Sequence, residues 1–306
     1  MPFSYLKPIL IFLASLLFVF GLAGMISTGG KKAPITQMGF SKGLEETDVQ
    51  QQAALALDQP GMVSTTSRKK FAVIIGIVYD NYDLGTVSFA DKDAESMYNL
   101  LVGRLGFPRE NVIFLRNSEA SHQSVFGALD WLANNPDIDG NSDVIFFYSG
   151  HGLRSQPNIG LNIPNVQSAY ALVPFDFKNF DYKMGQGLLW DSNLKDFLGK
   201  IHAGRTWINI DSCFSGGFNQ PGITGPNRVV TMSSQGDQLS SEIPDTQRGV
   251  LMQYMVEDGI AKGLSVEDAF AVAAPRAFQY SGQNPQIADE YAGSMDLGKS
   301  LWAPNV

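Results

Sequence analysis

Two predominantly apolar runs in this chain each stop at a glycine-rich phrase, and each phrase carries one reactive side chain. Asp143–Tyr148 leads into Tyr148-Ser149-Gly150-His151-Gly152, and Thr206–Ile210 leads into Asp211-Ser212-Cys213-Phe214-Ser215-Gly216-Gly217. Short apolar runs bounded by glycines read as strands covered on both faces, the condition of a parallel sheet packed between helices. Such sheets take ligands beyond the carboxyl ends of their strands, which is where both the His and the Cys fall.

Cys213 is the only cysteine in 306 residues. A lone cysteine is more often a small buried hydrophobe than a reactive group. This one lies just past a strand, after an acid and before Phe-Ser-Gly-Gly. That context puts the thiol in a loop whose glycines let backbone amides approach a substrate closely. A thiol with a free pKa near ~8.5 is mostly protonated at neutral pH, so a nucleophilic role needs a base, and His151 is the candidate.

Composition narrows the remaining classes. A net charge of -8 argues against a nucleic-acid partner, which would need a phosphate-neutralising basic face. One cysteine excludes an intrachain disulfide and a Cys-rich zinc site, and His122, His151 and His202 leave little material for an imidazole-built metal centre.

The amino terminus is apolar from Ile9 to Ile26 after Lys7, long enough for a marginal membrane span and also shaped like a signal peptide. Gly21-Leu22-Ala23 offers the small residues of a cleavage site, whereas hydrophobicity continuing to Ile26 suits an uncleaved anchor. Both readings stay open, and both make the following domain exported, either membrane-anchored or secreted. Lys7 on one side faces Lys31 and Lys32 on the other, so orientation is weakly determined. Residues 27–70 read as a linker with one short helix over Leu44–Leu57. Its basic close, Arg68-Lys69-Lys70, has two readings that stay open: an accessible site of proteolytic processing, or positive residues flanking the start of a strand. The folded domain is expected over 71–306.

From Phe71 strands and helices alternate. Strands are expected at Phe71–Val78, Asn111–Leu115, Asp143–Tyr148, Thr206–Ile210 and Val229–Ser233, with a short extended piece at Tyr170–Pro174. Helices are expected through Ala94, Met97, Tyr98 and Leu101, then at Ser121–Ala133, Ser192–Lys200, Gly249–Asp258 and Ser265–Tyr280. This order gives an α/β fold, an α/β/α sandwich around a mainly parallel central sheet.

With these segments in view, the chain from Phe71 resembles the caspase-like fold of the clan CD cysteine peptidases (peptidase C14). It is most similar to the metacaspase and bacterial metacaspase-like, or orthocaspase, branch. The likeness is carried by Val87-Ser88-Phe89-Ala90-Asp91-Lys92-Asp93-Ala94, Tyr148-Ser149-Gly150-His151-Gly152, Leu172-Val173-Pro174-Phe175-Asp176, Asp211-Ser212-Cys213 and Ser234-Gln235-Gly236-Asp237-Gln238. The Tyr-Ser-Gly-His-Gly phrase with a downstream Asp-Ser-Cys is the specific pair. The other segments are weak signals alone.

The resemblance implies a cysteine endopeptidase in which Cys213 attacks the scissile carbonyl, His151 serves as acid and base, and amides near Gly152 and Cys213 hold the oxyanion. It further implies that Asp93, Asp211 and Ser149 line a pocket for a basic side chain, so that peptide or protein substrates are cut after Arg or Lys and not after Asp. Asp93 also sits in a first helical turn, where a carboxylate is favoured regardless. No third member of the dyad is evident. Ala90 and Lys92 depart from the family pattern, which has Cys and Asn there.

No cofactor is required by this chemistry. Calcium, used by several relatives, is the one candidate, with Asp176 and Asp191 at two matching positions. Against it, a paired acid is Ser192, and Asn219 and Gln220 stand where an acid is expected. A hard calcium ion takes six to eight oxygens, several of them charged. Asp176 and Asp191 otherwise read as loop and helix-start polar residues. His122 and His202 are expected at the surface, and Trp190 and Tyr280 in packing.

Two further classes stay open: a catalytically silent, membrane-tethered caspase-like scaffold, and a hydrolase of the same clan without an acidic pocket. Retention of both Cys213 and His151 with their flanking glycines favours the enzyme, because function lives in the site and not in the fold.

Overall fold

The computed structural model describes residues 68–79, 84–155 and 169–298. The apolar stretch Ile9–Ile26, the Leu44–Leu57 helix and the rest of the linker up to residue 67 lie outside the described residues. No helix among the described residues is long and apolar enough to cross a membrane.

In chain order the elements are β1 (Lys69–Gly76), α1 (Ala90–Gly103), β2 (Val112–Arg116), α2 (His122–Ala133), β3 (Ser142–Ser149), β4 (Gly152–Arg154), β5 (Tyr170–Leu172) and β6 (Leu189–Trp190). They continue with α3 (Asp191–Leu198), β7 (Arg205–Asp211), β8 (Arg228–Met232), β9 (Glu242–Ile243), β10 (Arg248–Gly249), α4 (Val266–Ser281) and β11 (Gln286–Asp289). Six strands form the central sheet in the order β11-β8-β7-β3-β1-β2. Every pairing in it is parallel except that of β11 with β8. The expected α/β sandwich is thus present, with an antiparallel edge strand in addition.

Side-chain alternation along the strands builds the two layers. Val73, Ile75, Phe146, Tyr148, Ile208 and Ile210 pack with α2 and α3. Ala72, Ile74, Ile145, Phe147, Trp207 and Val229 pack with α1, α4, Met252 and Met255. Each such large side chain, fully removed from water, contributes about 1.5–3 kcal/mol. On the α1 side the packing is close enough that a Cβ on Gly76 would lie 2.3 Å from the Ala90 carbonyl oxygen and 2.4 Å from the Ala94 methyl. Glycine at the end of β1 therefore lets the first turn of α1, which carries Asp93, approach the sheet.

The beginning of the domain corrects the linker boundary. β1 starts at Lys69, with Lys69 paired to Ser142 and Lys70 to Asp143 of β3. Arg68 Nε lies 2.5 Å from Oδ1 of buried Asp143, whose Oδ2 meets Arg205 Nη2 at 2.5 Å. Lys70 Nζ donates to the Leu105 carbonyl at 2.5 Å. The basic cluster is built into the start of an interior strand, because long basic side chains can lay their stems on apolar surface while pairing their heads. It is not an accessible linker, so processing within Arg68–Lys70 is set aside.

Other boundaries move less. Ser121 and Ser265 are N-caps of α2 and α4, accepting the amides of Ser124 and Asp268 at 3.2 Å and 3.1 Å. The expected Gly249–Asp258 helix resolves into β10 ending at Gly249 and a π-helical turn over Met252–Glu257.

Candidate active site

The parallel register of β3 and β7 pairs Ser149 with Asp211. His151 and Cys213 follow these partners at the same offset, and both line one cavity of about 330 Å³ with Asp93, Ser149, Asp211 and Glu242. A Cβ on Gly152 would come within 2.0 Å of the Cys213 carbonyl oxygen, so only glycine allows the two strand-end loops to touch. Phe214 adopts φ 60°, a left-handed conformation that turns the chain sharply after Cys213.

Hydroxyls fix that turn. Ser233 Oγ accepts the Ser212 amide at 3.1 Å, Ser234 Oγ donates to the Ser212 carbonyl at 3.1 Å, and Ser234 Oγ accepts the Ser215 amide at 3.3 Å. Behind them, buried Gln283 donates to the Ser233 carbonyl at 2.9 Å and accepts the Ser241 amide at 2.9 Å. The segment facing the nucleophile is therefore held at both ends by one side chain.

The Cys213 thiol is partly buried, and the Ser240 amide points at its Sγ from 3.4 Å. Burial pushes the thiol pKa up, the Ser240 N–H opposes that, and the negative charges of Asp211 and Glu242 add to the rise. His151 is buried, and burial brings its pKa down to about 4 against the opposing effect of a hydrogen bond with the Gly85 backbone. Gly85 thus takes the orienting part that no side chain in the sequence offered. His151 Nε2 is buried without a hydrogen-bond partner among the described residues. Burial thus favours the uncharged form of both the thiol and the imidazole.

Tyr79 underlies the His151 ring, with centroids 4.5 Å apart and planes inclined by 35°. Its hydroxyl accepts the His151 amide at 3.1 Å, donates to the Val173 carbonyl at 2.6 Å and lies 3.0 Å from the Tyr148 hydroxyl. Tyr148 in turn donates to the His151 carbonyl at 2.8 Å. Two tyrosines therefore clamp the backbone of the histidine.

The acidic residues converge as the resemblance implied. Asp93 accepts Ser149 Oγ at 3.0 Å and the Gly249 amide at 3.1 Å to each oxygen. Asp211 accepts Ser240 Oγ at 3.0 Å and the Met252 amide at 3.3 Å. Burial raises both carboxyl pKa values, that of Asp211 to about 6 and that of Asp93 well above its usual range, where the charge of Asp211 adds to burial. Both are buried, and among the described residues neither forms a salt bridge, Arg248 acting on Asp93 only from beyond ion-pair distance, so the cavity has an acidic, desolvated floor. Glu242 was not foreseen. Its carboxylate accepts the amides of Ser88 at 3.0 Å and Phe89 at 2.8 Å, tying the loop beyond Cys213 to the start of α1.

The two residues put forward for calcium, Asp176 and Asp191, are engaged in hydrogen bonds within the protein. Asp176 Oδ1 accepts the His122 amide at 2.6 Å. Asp191 accepts Ser192 N–H at 2.8 Å and Gln220 Nε2 at 2.7 Å, while Lys195 Nζ donates to Gln220 Oε1 at 2.6 Å. Gln220 thus bridges Asp191 and Lys195, and no group of three or more His, Cys, Asp or Glu among the described residues is arranged to hold a metal. His122, expected at the surface, is half-buried between Phe126 and Phe180, whereas His202 is exposed. Trp190 packs beside Ala171 and Val173 with its Nε1 on the Gly185 carbonyl, and Tyr280 stands against Tyr254 at the rim.

The caspase-domain family model matches residues 69–290. Metacaspase-3 of Arabidopsis thaliana is 31% identical over 162 residues, covering 48% of this chain and 40% of that protein. Metacaspase-4 of the same plant is 32% identical over 156 residues, covering 49% and 34%. The chain thus spans well under half the length of these curated relatives. The crystal structure of protein GSU0716 from Geobacter sulfurreducens superposes with a TM-score of 0.54 at 19% identity, covering 74% of this chain and 94% of that one. That likeness concerns the fold alone.

Proposed function

The chain belongs to the caspase-domain family, and from that premise we propose that it is a cysteine endopeptidase of the metacaspase type that cleaves peptides after Arg or Lys. One observation carries the reading: a buried Asp93–Asp211 pair floors the cavity that Cys213 and His151 line. A cation entering it would gain two carboxylates already stripped of water, whereas a P1 aspartate would meet like charge.

Substrate binding excludes the remaining water, and the Cys213 thiol passes its proton to the free Nε2 of His151 as sulfur attacks the scissile carbonyl. The amides of Gly152 and Cys213 receive the oxyanion. Collapse breaks the C–N bond, the imidazolium gives its proton to the leaving amine, and an acyl-enzyme remains. Water, deprotonated by His151, then releases the carboxylate product and the thiol. The substrates are proteins or peptides bearing basic residues. The apolar Ile9–Ile26 segment supports an exported, tethered or secreted location.

Turnover of fluorogenic peptides differing only in Arg, Lys or Asp at the cleaved position tests the reading, with calcium and with chelator. Arg and Lys peptides are expected to be cut in both conditions. Efficient cleavage after Asp would refute the pocket.

A further inference from the structure

Arg154 lies on β4 two residues past Gly152, and residues i and i+2 of a strand face the same side. The side of Gly152 is the side of the Cys213 carbonyl, which a Cβ there would strike. The Arg154 guanidinium accordingly stands over the ring of Phe214, the residue after the nucleophile, with Cζ 5.5 Å from the centroid. Among the described residues its Nε is buried without a hydrogen-bond partner, and the one hydrogen bond the guanidinium makes to them is a long one, from Nη1 to the Gly236 carbonyl at 3.4 Å. No salt bridge of Arg154 exists among the described residues, and the adjoining sequence 156–168 carries no Asp or Glu.

A guanidinium has five donors in a planar fork matched to carboxylate, and leaving a buried donor unpaired is costly. Arg154 is thus a cation prepared for an anion that the described protein does not supply. It also lies outside the acidic cavity, whose lining stops at Cys213 and does not include Gly152, Arg154 or Phe214. His151, which serves the leaving amine in the reading above, directly precedes β4, and on that ground the residues beyond the scissile bond are assigned to the Arg154 side of the sulfur.

We propose that Arg154 forms a carboxylate-binding subsite on the leaving-group side of Cys213, so that substrates carrying Asp or Glu at the first or second position after the cleaved residue are preferred. The inference rests on the basic-side-chain reading above. The recognised sequence then has a dipolar character: a cation held by Asp93 and Asp211, followed by an anion held by Arg154.

Binding to the full-length Cys213→Ala protein, read by fluorescence anisotropy, tests the two readings separately, because it needs no turnover. The probes are labelled peptides spanning the cut with Arg followed by Asp, Arg followed by Asn, and Asp in place of Arg. The Arg-Asp peptide is expected to bind about tenfold more tightly than Arg-Asn, the ratio expected for one charge-assisted pair. The ratio should shrink with added salt, fall to about one in Arg154→Gln and survive in part in Arg154→Lys. An Arg-Asp to Arg-Asn ratio of one in the starting protein, or a ratio unchanged by Arg154→Gln, overturns the subsite. Equal binding of the peptide lacking Arg overturns the acidic-pocket reading on which it rests.

Discussion

Asp93 and Asp211 meet over a single glycine: a Cβ on Gly249 would lie 2.6 Å from Asp211 Oδ2 and 3.0 Å from Asp93 Oδ2. The two residues are brought there by different elements, α1 and the end of β7, and the Gly249 amide is shared into the same space. Gly249→Ala should fill the floor of the cavity. Kcat/KM on Arg peptides is expected to fall about 100-fold or more, equivalent to about 3 kcal/mol of transition-state binding. Alkylation of Cys213 by iodoacetamide should continue, and full activity in the variant would refute the convergence.

Activity on basic substrates should carry an acid limb set by the carboxylates and not by the histidine. Burial raises the Asp211 carboxyl to about 6 and raises Asp93 as well, whereas burial lowers His151 to about 4, below that window. A cationic side chain needs the pair ionised, so kcat/KM, which reports the free enzyme, should rise with pH through about 6. A pH profile from 4.5 to 8 checks this. A limb that stays in place in Asp211→Asn and Asp93→Asn would assign it elsewhere.

The same pair weakens the fold at neutral pH. A carboxyl pKa raised in the folded state means that the folded protein binds more protons than the unfolded chain between about 4 and about 6. Its stabilising contribution is complete below the unfolded value and is lost as pH rises through the folded one. Asp211→Asn should therefore stabilise the protein at pH 7, by about 1–3 kcal/mol, while removing activity on Arg peptides. Urea unfolding at pH 5 and pH 7 measures both signs, and the gain should shrink at the lower pH.

Tyr79→Phe keeps the ring against His151 and removes the oxygen that the His151 amide and Tyr148 use. Leaving those buried groups short of a partner should cost about 1–3 kcal/mol in stability. If Tyr79 positions the histidine, kcat should fall several-fold with little change in KM. A loss of stability with unaltered kcat would reduce it to a packing residue.

Loss of the nucleophile gives the plainest test. Cys213→Ala should abolish turnover and labelling by Arg-directed alkylating inhibitors without lowering the melting temperature. His151→Ala should lose about 10²–10⁴-fold in kcat. Undiminished turnover in cleanly purified Cys213→Ala would exclude thiol catalysis.

Residues that sit on a periodic element were readable before the structure. His151 and Cys213 follow apolar strands, and Asp93 lies on a helix whose Ala94, Met97 and Leu101 mark its buried face. Glu242, Ser240, Gly85 and Gln283 reach the site from segments with no periodic pattern, through contacts across the fold, so no local signal marked them. At the start of β1 the sequence allows two readings for a different reason. Arg68, Lys69 and Lys70 look like a polar linker, but Arg68 pairs with buried Asp143 on the neighbouring strand, 75 positions away. Over Gly249–Asp258 the helical periodicity was real, yet nothing in it distinguishes a π-helical turn from an α-helix.

The pairing of Ser149 with Asp211 makes the dyad a property of two adjacent strands and not of the chain that joins them. The connection from β4 to the start of β7 could be cut at one point without altering the rung that aligns them, provided β3 and β7 still find each other. The turn at Met184, half exposed between β5 and β6, is a natural place for such a break. Two separately expressed fragments divided there would each be inert, one holding the imidazole and the other the thiol, and their association would itself be the switch that creates a working enzyme.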